Sequence, residues 1–282
     1  MKKSHLPKDI HKTYDTIFSI AHGNNFIPGA VEEELRNNDQ HILPQWFFEH
    51  PSSKTLEYSD ELAAMRYTRG YNFASDTRRF RPFPALKHEI ITHANIIKPF
   101  VPDVRTDSYF NMTKSKMIDW GVTLSPSEVT TQHISKIFDS LTHNKRSINQ
   151  RIYGPVKNNP IAVSIEVKVT SGSLEQARGQ LGLWTAACHR RMILPRKSEE
   201  EIIAVPLVMV MEHQWKLIFA VGRGDAIDIV EDIRMGDTRN LPGLYRIIVV
   251  LRELAIWIEM DYLASLDSWL GLVPPPDTAA EL

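Results

Sequence analysis

The chain has 282 residues, of which 43% are hydrophobic and 24% are charged, and its formal net charge is −1. This balance is typical of a globular protein, and it argues against a strongly basic protein that binds nucleic acid without sequence preference. The sequence does not exclude a local basic surface at either of two clusters, Arg78, Arg79 and Arg81 or Lys145, Arg146 and Arg151.

Cysteine, histidine and hydropathy patterns narrow the class of protein further. The single cysteine, Cys188, excludes an internal disulfide and fits a reducing compartment. The histidines show no HxxxH spacing, so no zinc site is expected. The chain begins without the apolar core of a signal peptide and contains no run apolar enough to span a membrane. We therefore expect an intracellular protein, in the cytoplasm or the nucleus, with no membrane partner.

The first part of the chain, residues 1–82, predicts an accessory region of helices and irregular segments. Within it, residues 14–21 form a short amphipathic pattern. We expect the main domain over residues 83–272 and a frayed tail over residues 273–282, where prolines accumulate. The main domain is predicted to open with a helix over residues 85–97.

A strand is predicted next, over residues 116–124. Alternation places Ile118, Trp120 and Val122 on an apolar face and Asp119 on the other face. Residues 125–159 then form an insertion, with a helix over residues 127–141 and a polar loop after it. A role in contacting substrate and no role at all are both open for this insertion.

The most informative segment is the run Pro-Ile-Ala-Val-Ser-Ile-Glu-Val-Lys-Val-Thr at residues 160–170, which predicts a buried strand. One face of this strand would carry Ile161, Val163, Ile165, Val167 and Val169. The other face would carry Ala162, Ser164, Glu166, Lys168 and Thr170. A carboxylate and an ammonium thus project from an otherwise apolar strand, and buried charges usually have a partner, a metal or a chemical task.

If the two predicted strands pair, Asp119 and Glu166 converge with Lys168 beside them. Carboxylate oxygens are hard ligands that suit Mg²⁺ or Mn²⁺. A lysine beside such an ion can orient a water or stabilise charge on a phosphate. A structural ion pair between Glu166 and Lys168 is the alternative interpretation.

The next helix is predicted to begin at Ser173, which caps it. Its buried stripe contains Ala177, Leu181, Trp184 and Cys188. Gln180 lies beside this stripe, and either the Glu166 face or the backbone could receive its side chain. Further strands are predicted over residues 205–212, 215–222 and 226–230, followed by a helix over residues 242–266. This order predicts an α/β protein with a mixed central sheet flanked by helices.

An Asp followed by Glu-x-Lys on a neighbouring strand resembles the PD-(D/E)XK nuclease superfamily. The segment from Ser173 to Cys188 resembles the helix that follows the catalytic strand there. The run Pro-Ile-Ala-Val-Ser-Ile-Glu-Val-Lys with Gln-Leu-Gly-Leu-Trp after it is similar to the nuclease-like domain of many fungal proteins. The similarity extends from about residue 83 to residue 215.

The resemblance implies a restriction-endonuclease-like fold and a hydrolase that cuts phosphodiester bonds of DNA or RNA with Mg²⁺ or Mn²⁺. Asp119, Glu166 and the carbonyl of Val167 would hold the metal, and Lys168 and Gln180 would complete the catalytic set. Members of the fungal group carry an upstream glutamate and a histidine, for which Glu89 and His93 are the nearest matches here. A nuclease-fold protein that binds a partner without cleaving nucleic acid is the alternative, and oligomeric state and protein partners stay open.

Overall fold

A computed structural model describes the chain over residues 6–24, 26–28, 32–38, 43–48, 83–92, 95–102, 118–168, 173–193, 202–224 and 226–272. Its centre is a mixed six-stranded sheet with helices on both faces, and this confirms the predicted fold class. Among the described residues, no helix combines the length and the apolarity needed to cross a bilayer.

The strands and helices are numbered in chain order. The strands are β1 (Ile27–Pro28), β2 (Phe47–Phe48), β3 (Leu86–Ile90), β4 (Trp120–Leu124), β5 (Ile161–Lys168), β6 (Val205–Met211), β7 (Gln214–Arg223) and β8 (Ala226–Asp237). The helices are α1 (His11–Ala21), α2 (Glu32–Asn38), α3 (Glu128–Asp139), α4 (Leu174–Ile193), α5 (Leu241–Trp257) and α6 (Leu263–Leu270), with a π-helical turn at Ile258–Tyr262 between the last two.

The central sheet has the order β3-β4-β5-β6-β7-β8. Only the pair β5 and β6 is parallel, and α4 makes the crossover between these two strands. The other neighbours are antiparallel. Strands β1 and β2 form a separate parallel pair.

Two apolar layers enclose the sheet. One layer lies between the sheet and α4 and includes Leu181, Leu207 and Ile218. The other layer lies against α1 and α5, where the Tyr14 and Phe219 rings meet at 6.3 Å between centroids. Burial of both sheet faces explains why β5 and β6 are almost continuously apolar rather than alternating with polar residues.

The helix predicted over residues 85–97 is wrong. The segment forms β3, an edge strand that begins after a turn in which Leu86 donates to the Phe83 carbonyl. Residues 86, 88 and 90 lie on one face, as every second residue of a strand does. Both a helical and a strand period fit this segment, and the ladder hydrogen bonds with β4 favour the strand. The predicted α3, the β6–β7 hairpin and the Ser173 cap are confirmed, the last by a 3.4 Å bond from the Gln176 amide to the Ser173 hydroxyl.

The predicted sorting of side chains along β5 is correct from Val163 to Lys168, whereas Ile161 and Ala162 pack in the layers opposite to those predicted. Val169 and Thr170 lie outside the described residues. A β-bulge shifts the register so that Val122 pairs with Val163 while Thr123 pairs with Ile161. As a result, Ile161 lies on the same face as Gly121 and packs with the apolar layer under α4. The bulge inserts an unpaired residue, which breaks strict alternation at that point.

Candidate active site

Asp119, the residue before β4, lies beside the end of β5 that carries Glu166. The antiparallel register pairs Trp120 with Ile165, and the Asp119 amide donates to the Ile165 carbonyl at 3.2 Å. This bond holds the backbone of Asp119 against β5, one residue before Glu166. Both side chains are buried, at 5% and 1% exposure.

Asp119 is held at its backbone and at its carboxylate. Its carbonyl accepts from the Ile91 amide at 2.9 Å, and its Oδ2 accepts from the Val167 amide at 2.8 Å. A carboxylate bonded to a backbone N–H of the neighbouring strand has a fixed direction and keeps further lone pairs for another ligand. The Val167 backbone therefore contacts the site through its amide.

Lys168 extends the same face of β5 and contacts Glu166 directly. Its Nζ lies 2.5 Å from Glu166 Oε1, and its side chain is 16% exposed against 1% for the glutamate. A nearly buried ion pair compensates two charges that would each be costly alone. The ammonium is the part of this pair that reaches solvent.

Helix α4 covers this face through a polar contact. Trp184 Nε1 donates to Ser164 Oγ at 2.8 Å. Gln180 precedes Trp184 by four residues, about 6 Å along a helix, and Glu166 follows Ser164 by two residues, about 6.6 Å along a strand. Because the helix starts beyond the end of β5, Gln180 lies at the level of Glu166, and it is 2% exposed.

The structure describes only one of the two predicted supporting residues, Glu89 and His93. Glu89 lies on β3 opposite Gly121, which pairs with Ser164, so Glu89 shares the face of Glu166 but lies one row away, on a half-buried edge. The resemblance places the family glutamate on a helix, whereas Glu89 is on a strand. His93 lies outside the described residues.

No sequence pattern places Arg151 next to the site. Arg151 is fully buried, so the basic surface left open at Lys145, Arg146 and Arg151 does not include it. Its Nη1 donates to the Ile91 carbonyl at 2.5 Å, and its guanidinium carbon lies 4.7 Å from the Trp184 ring centroid. Burial lowers its pKa to about 9, so it stays charged at neutral pH. Arg151 thus fixes the end of β3 that bonds Asp119, and only the tertiary structure reveals this, since a polar loop carries no periodicity.

The donor set agrees with a hard divalent cation in number and chemistry. Mg²⁺ is commonly bound by one or two carboxylates and keeps several of its waters. Asp119 and Glu166 are such a pair, because the Asp119 carboxylate accepts from the backbone N–H that directly follows Glu166. Within the described ranges, no group of three or more histidine, cysteine, aspartate or glutamate side chains gathers around a common point.

The opposite face of the same strands is apolar. A cavity of about 390 Å³ lies between β3–β7 and α5. Its wall includes Trp120, Val163, Ile165, Val167 and Leu254. The alternation of β5 therefore separates Ser164, Glu166 and Lys168, which face α4, from an apolar cavity under α5.

Comparisons with known proteins give one family. The family model described as PD-(D/E)XK nuclease superfamily matches residues 62–263, more than two thirds of the chain. Neither curated proteins nor solved structures gave a match.

Proposed function

Because the chain belongs to the PD-(D/E)XK nuclease superfamily, we propose that it is a metal-dependent nuclease that hydrolyses phosphodiester bonds of DNA or RNA. The observation that carries this proposal is the bond from the Val167 amide to the Asp119 carboxylate, which brings Asp119 beside Glu166 on β5, with Lys168 bonded to Glu166. This set has the residue types and the strand order of the superfamily motif.

In this proposal Asp119, Glu166 and the Val167 carbonyl hold Mg²⁺ or Mn²⁺. Such an ion would supply Lewis acidity and would activate a water for attack on a phosphodiester. The bond from the Val167 amide fixes the direction of the Asp119 carboxylate. Glu89 would support the metal ligands from the neighbouring row of side chains. His93 is proposed as a second supporting residue.

Lys168 has the role of stabilising charge or positioning the attacking water. Its ammonium is the more exposed member of the pair with Glu166, so it can approach a phosphate while its stem stays packed. Negative charge grows on the phosphate oxygens in the transition state, where a preorganised cation helps most. Gln180, at the level of Glu166, would fix Lys168 or the water through its amide.

A second function is a nuclease-fold binding protein without catalysis. The observation that favours it is the absence, among the described residues, of a third ligand-type side chain near Asp119 and Glu166. In that case the Glu166–Lys168 contact is a structural ion pair, and no divalent cation is required for folding.

The deciding experiment measures cleavage of plasmid DNA, single-stranded DNA and single-stranded RNA with Mg²⁺, with Mn²⁺ and with chelator. Wild type and Asp119→Asn are purified side by side, with Lys8→Gln, an exposed lysine before α1, as a matched surface control. We expect metal-dependent cleavage by wild type and by the control, and none by Asp119→Asn. Equal cleavage by all three preparations would indicate a contaminant, and no cleavage by any of them would favour the binding protein.

A further inference from the structure

A row of side chains runs from Glu166 across the sheet. Glu166 pairs with Met209 on β6, Met209 with Lys216 on β7, and Lys216 with Arg234 on β8. Paired residues in neighbouring strands project from one face, so these four share the face that carries Glu166. With strands about 4.8 Å apart, Lys216 lies two strands from Glu166 and Arg234 lies three, about 10 and 14 Å away.

Helix α4 leaves the basic end of this row uncovered. The helix begins over β5 and runs toward the far end of β7, where His189 Cε1 lies 3.3 Å from the position that a Cβ on Gly222 would occupy. Lys216 lies six residues before Gly222, near the start of β7. Accordingly, Met209 is buried, whereas Lys216 is half-buried and Arg234 is exposed.

The charges of Lys216 and Arg234 are uncompensated among the described residues. Two other arginines near the same hairpin each have a carboxylate, Arg223 with Asp228 at 3.0 Å and Arg239 with Asp237 at 2.6 Å. Neither Lys216 nor Arg234 forms such an ion pair within the described part of the chain. Charge along the row is therefore polarised, with a carboxylate on β5 and free cations on β7 and β8.

We propose that Lys216 and Arg234 bind backbone phosphates of the nucleic acid, so that the substrate strand leaves the site across β7 and β8. This inference rests on the proposed nuclease function. Phosphates contacted by lysine and arginine position a strand without reading its sequence. The distance from Glu166 to Arg234 corresponds to about four nucleotides of one strand along a B-form axis.

The test measures binding, so that it does not depend on cleavage. Fluorescence anisotropy of a labelled single strand and a labelled duplex is recorded with chelator present, over a range of salt concentrations. The variant is Lys216→Gln with Arg234→Gln. The matched control is Lys8→Gln with Lys12→Gln, which removes the same charge from exposed lysines at the start of α1, on the other face of the sheet. Thermal melting verifies that all three proteins are folded.

We expect the test variant to raise Kd at least tenfold at about 0.1 M salt and to reduce the slope of log K against log salt by about 1.8 for duplex or about 1.4 for single strand. The control should change Kd less than twofold. If wild type binds but the test variant keeps its Kd and slope, or if the control loses as much, the inference is overturned while the nuclease proposal stands. If wild type does not bind even at about 0.05 M salt, the inference is overturned as well, and the cleavage assay decides the nuclease proposal separately.

Discussion

The strands β4 and β5 present two faces, and these faces differ in what they bury. Toward α4, Ser164 accepts from the Trp184 indole and Glu166 pairs with Lys168, while Asp119, just before β4, accepts from the Val167 amide. Toward α5 they place Val163 and Ile165 against an apolar cavity. The difference teaches that a period of two residues lets one strand serve as core on one side and as a candidate site on the other.

The largest effect should come from the polar face. We expect Lys168→Ala to lower turnover about 10²–10³-fold, since a preorganised charge at the transition state is removed. Metal affinity should change less, the opposite of Asp119→Asn. Rates under single-turnover conditions with Mg²⁺, together with a metal titration, measure both. A rate that falls only because metal affinity falls would contradict this role for Lys168.

The second effect is a change in stability on adding metal. Variants of the candidate site should lose this change, whereas a variant on the cavity face should keep it. At a Mg²⁺ concentration of 100 Kd, we expect the ion to stabilise the wild type by about 2.7 kcal/mol, because it binds only the folded state. Asp119→Asn and Glu166→Gln should lose this increase in Tm. Val163→Ala, on the cavity face, should unfold more easily by about 2 kcal/mol yet keep the full metal response.

A metal-dependent rise in Tm that survives both Asp119→Asn and Glu166→Gln would place the ion elsewhere. A metal response lost in Val163→Ala, at temperatures where this variant is folded, would mean that the two faces are not independent. Calorimetry or dye-based melting with Mg²⁺ and with chelator provides these comparisons.

A smaller effect tests the contact between α4 and β5. We expect Ser164→Ala to destabilise the protein by about 1–3 kcal/mol, since the Trp184 indole N–H is buried and loses its acceptor. Trp184→Phe removes the donor, so adding Ser164→Ala to it should cost less than Ser164→Ala costs alone. Chemical denaturation of the four proteins of this cycle gives the coupling energy, and additive effects would show that the bond contributes nothing.

The smallest effect concerns acid, and it belongs to the end of α4 that lies far from the site. Burial lowers the pKa of His189 to about 4, so the folded state keeps it neutral while the unfolded chain takes up a proton near its ordinary pKa of 6.5. Stability is therefore lost as the pH falls below the unfolded value, by about 1 kcal/mol between about pH 7.5 and about pH 5.5.

His189→Gln should flatten this pH dependence, whatever its effect on stability at neutral pH. Denaturant unfolding across the window, for wild type and variant, measures the two slopes. Parallel slopes would show that other groups carry the acid sensitivity.

The sequence by itself determined the fold class, because β5 with its charged interruption, the capped α4 helix and the β6–β7 hairpin each carry a strong local period. It also indicated Asp119, Glu166 and Lys168 as a set, since alternation alone sorts Glu166 and Lys168 to one face. Their catalytic and metal-binding roles stay predictions, as do the domain boundaries.

Tertiary structure decided what no local pattern encodes. The segment around Glu89 fits both a helix and a strand, and only the free edge of β4 makes it β3. The bulge at Ile161, the buried Arg151 and the row that joins Glu166 to Lys216 and Arg234 depend on register between strands distant in sequence. Register is set by pairing partners and packing, and these exist only once the whole sheet has formed.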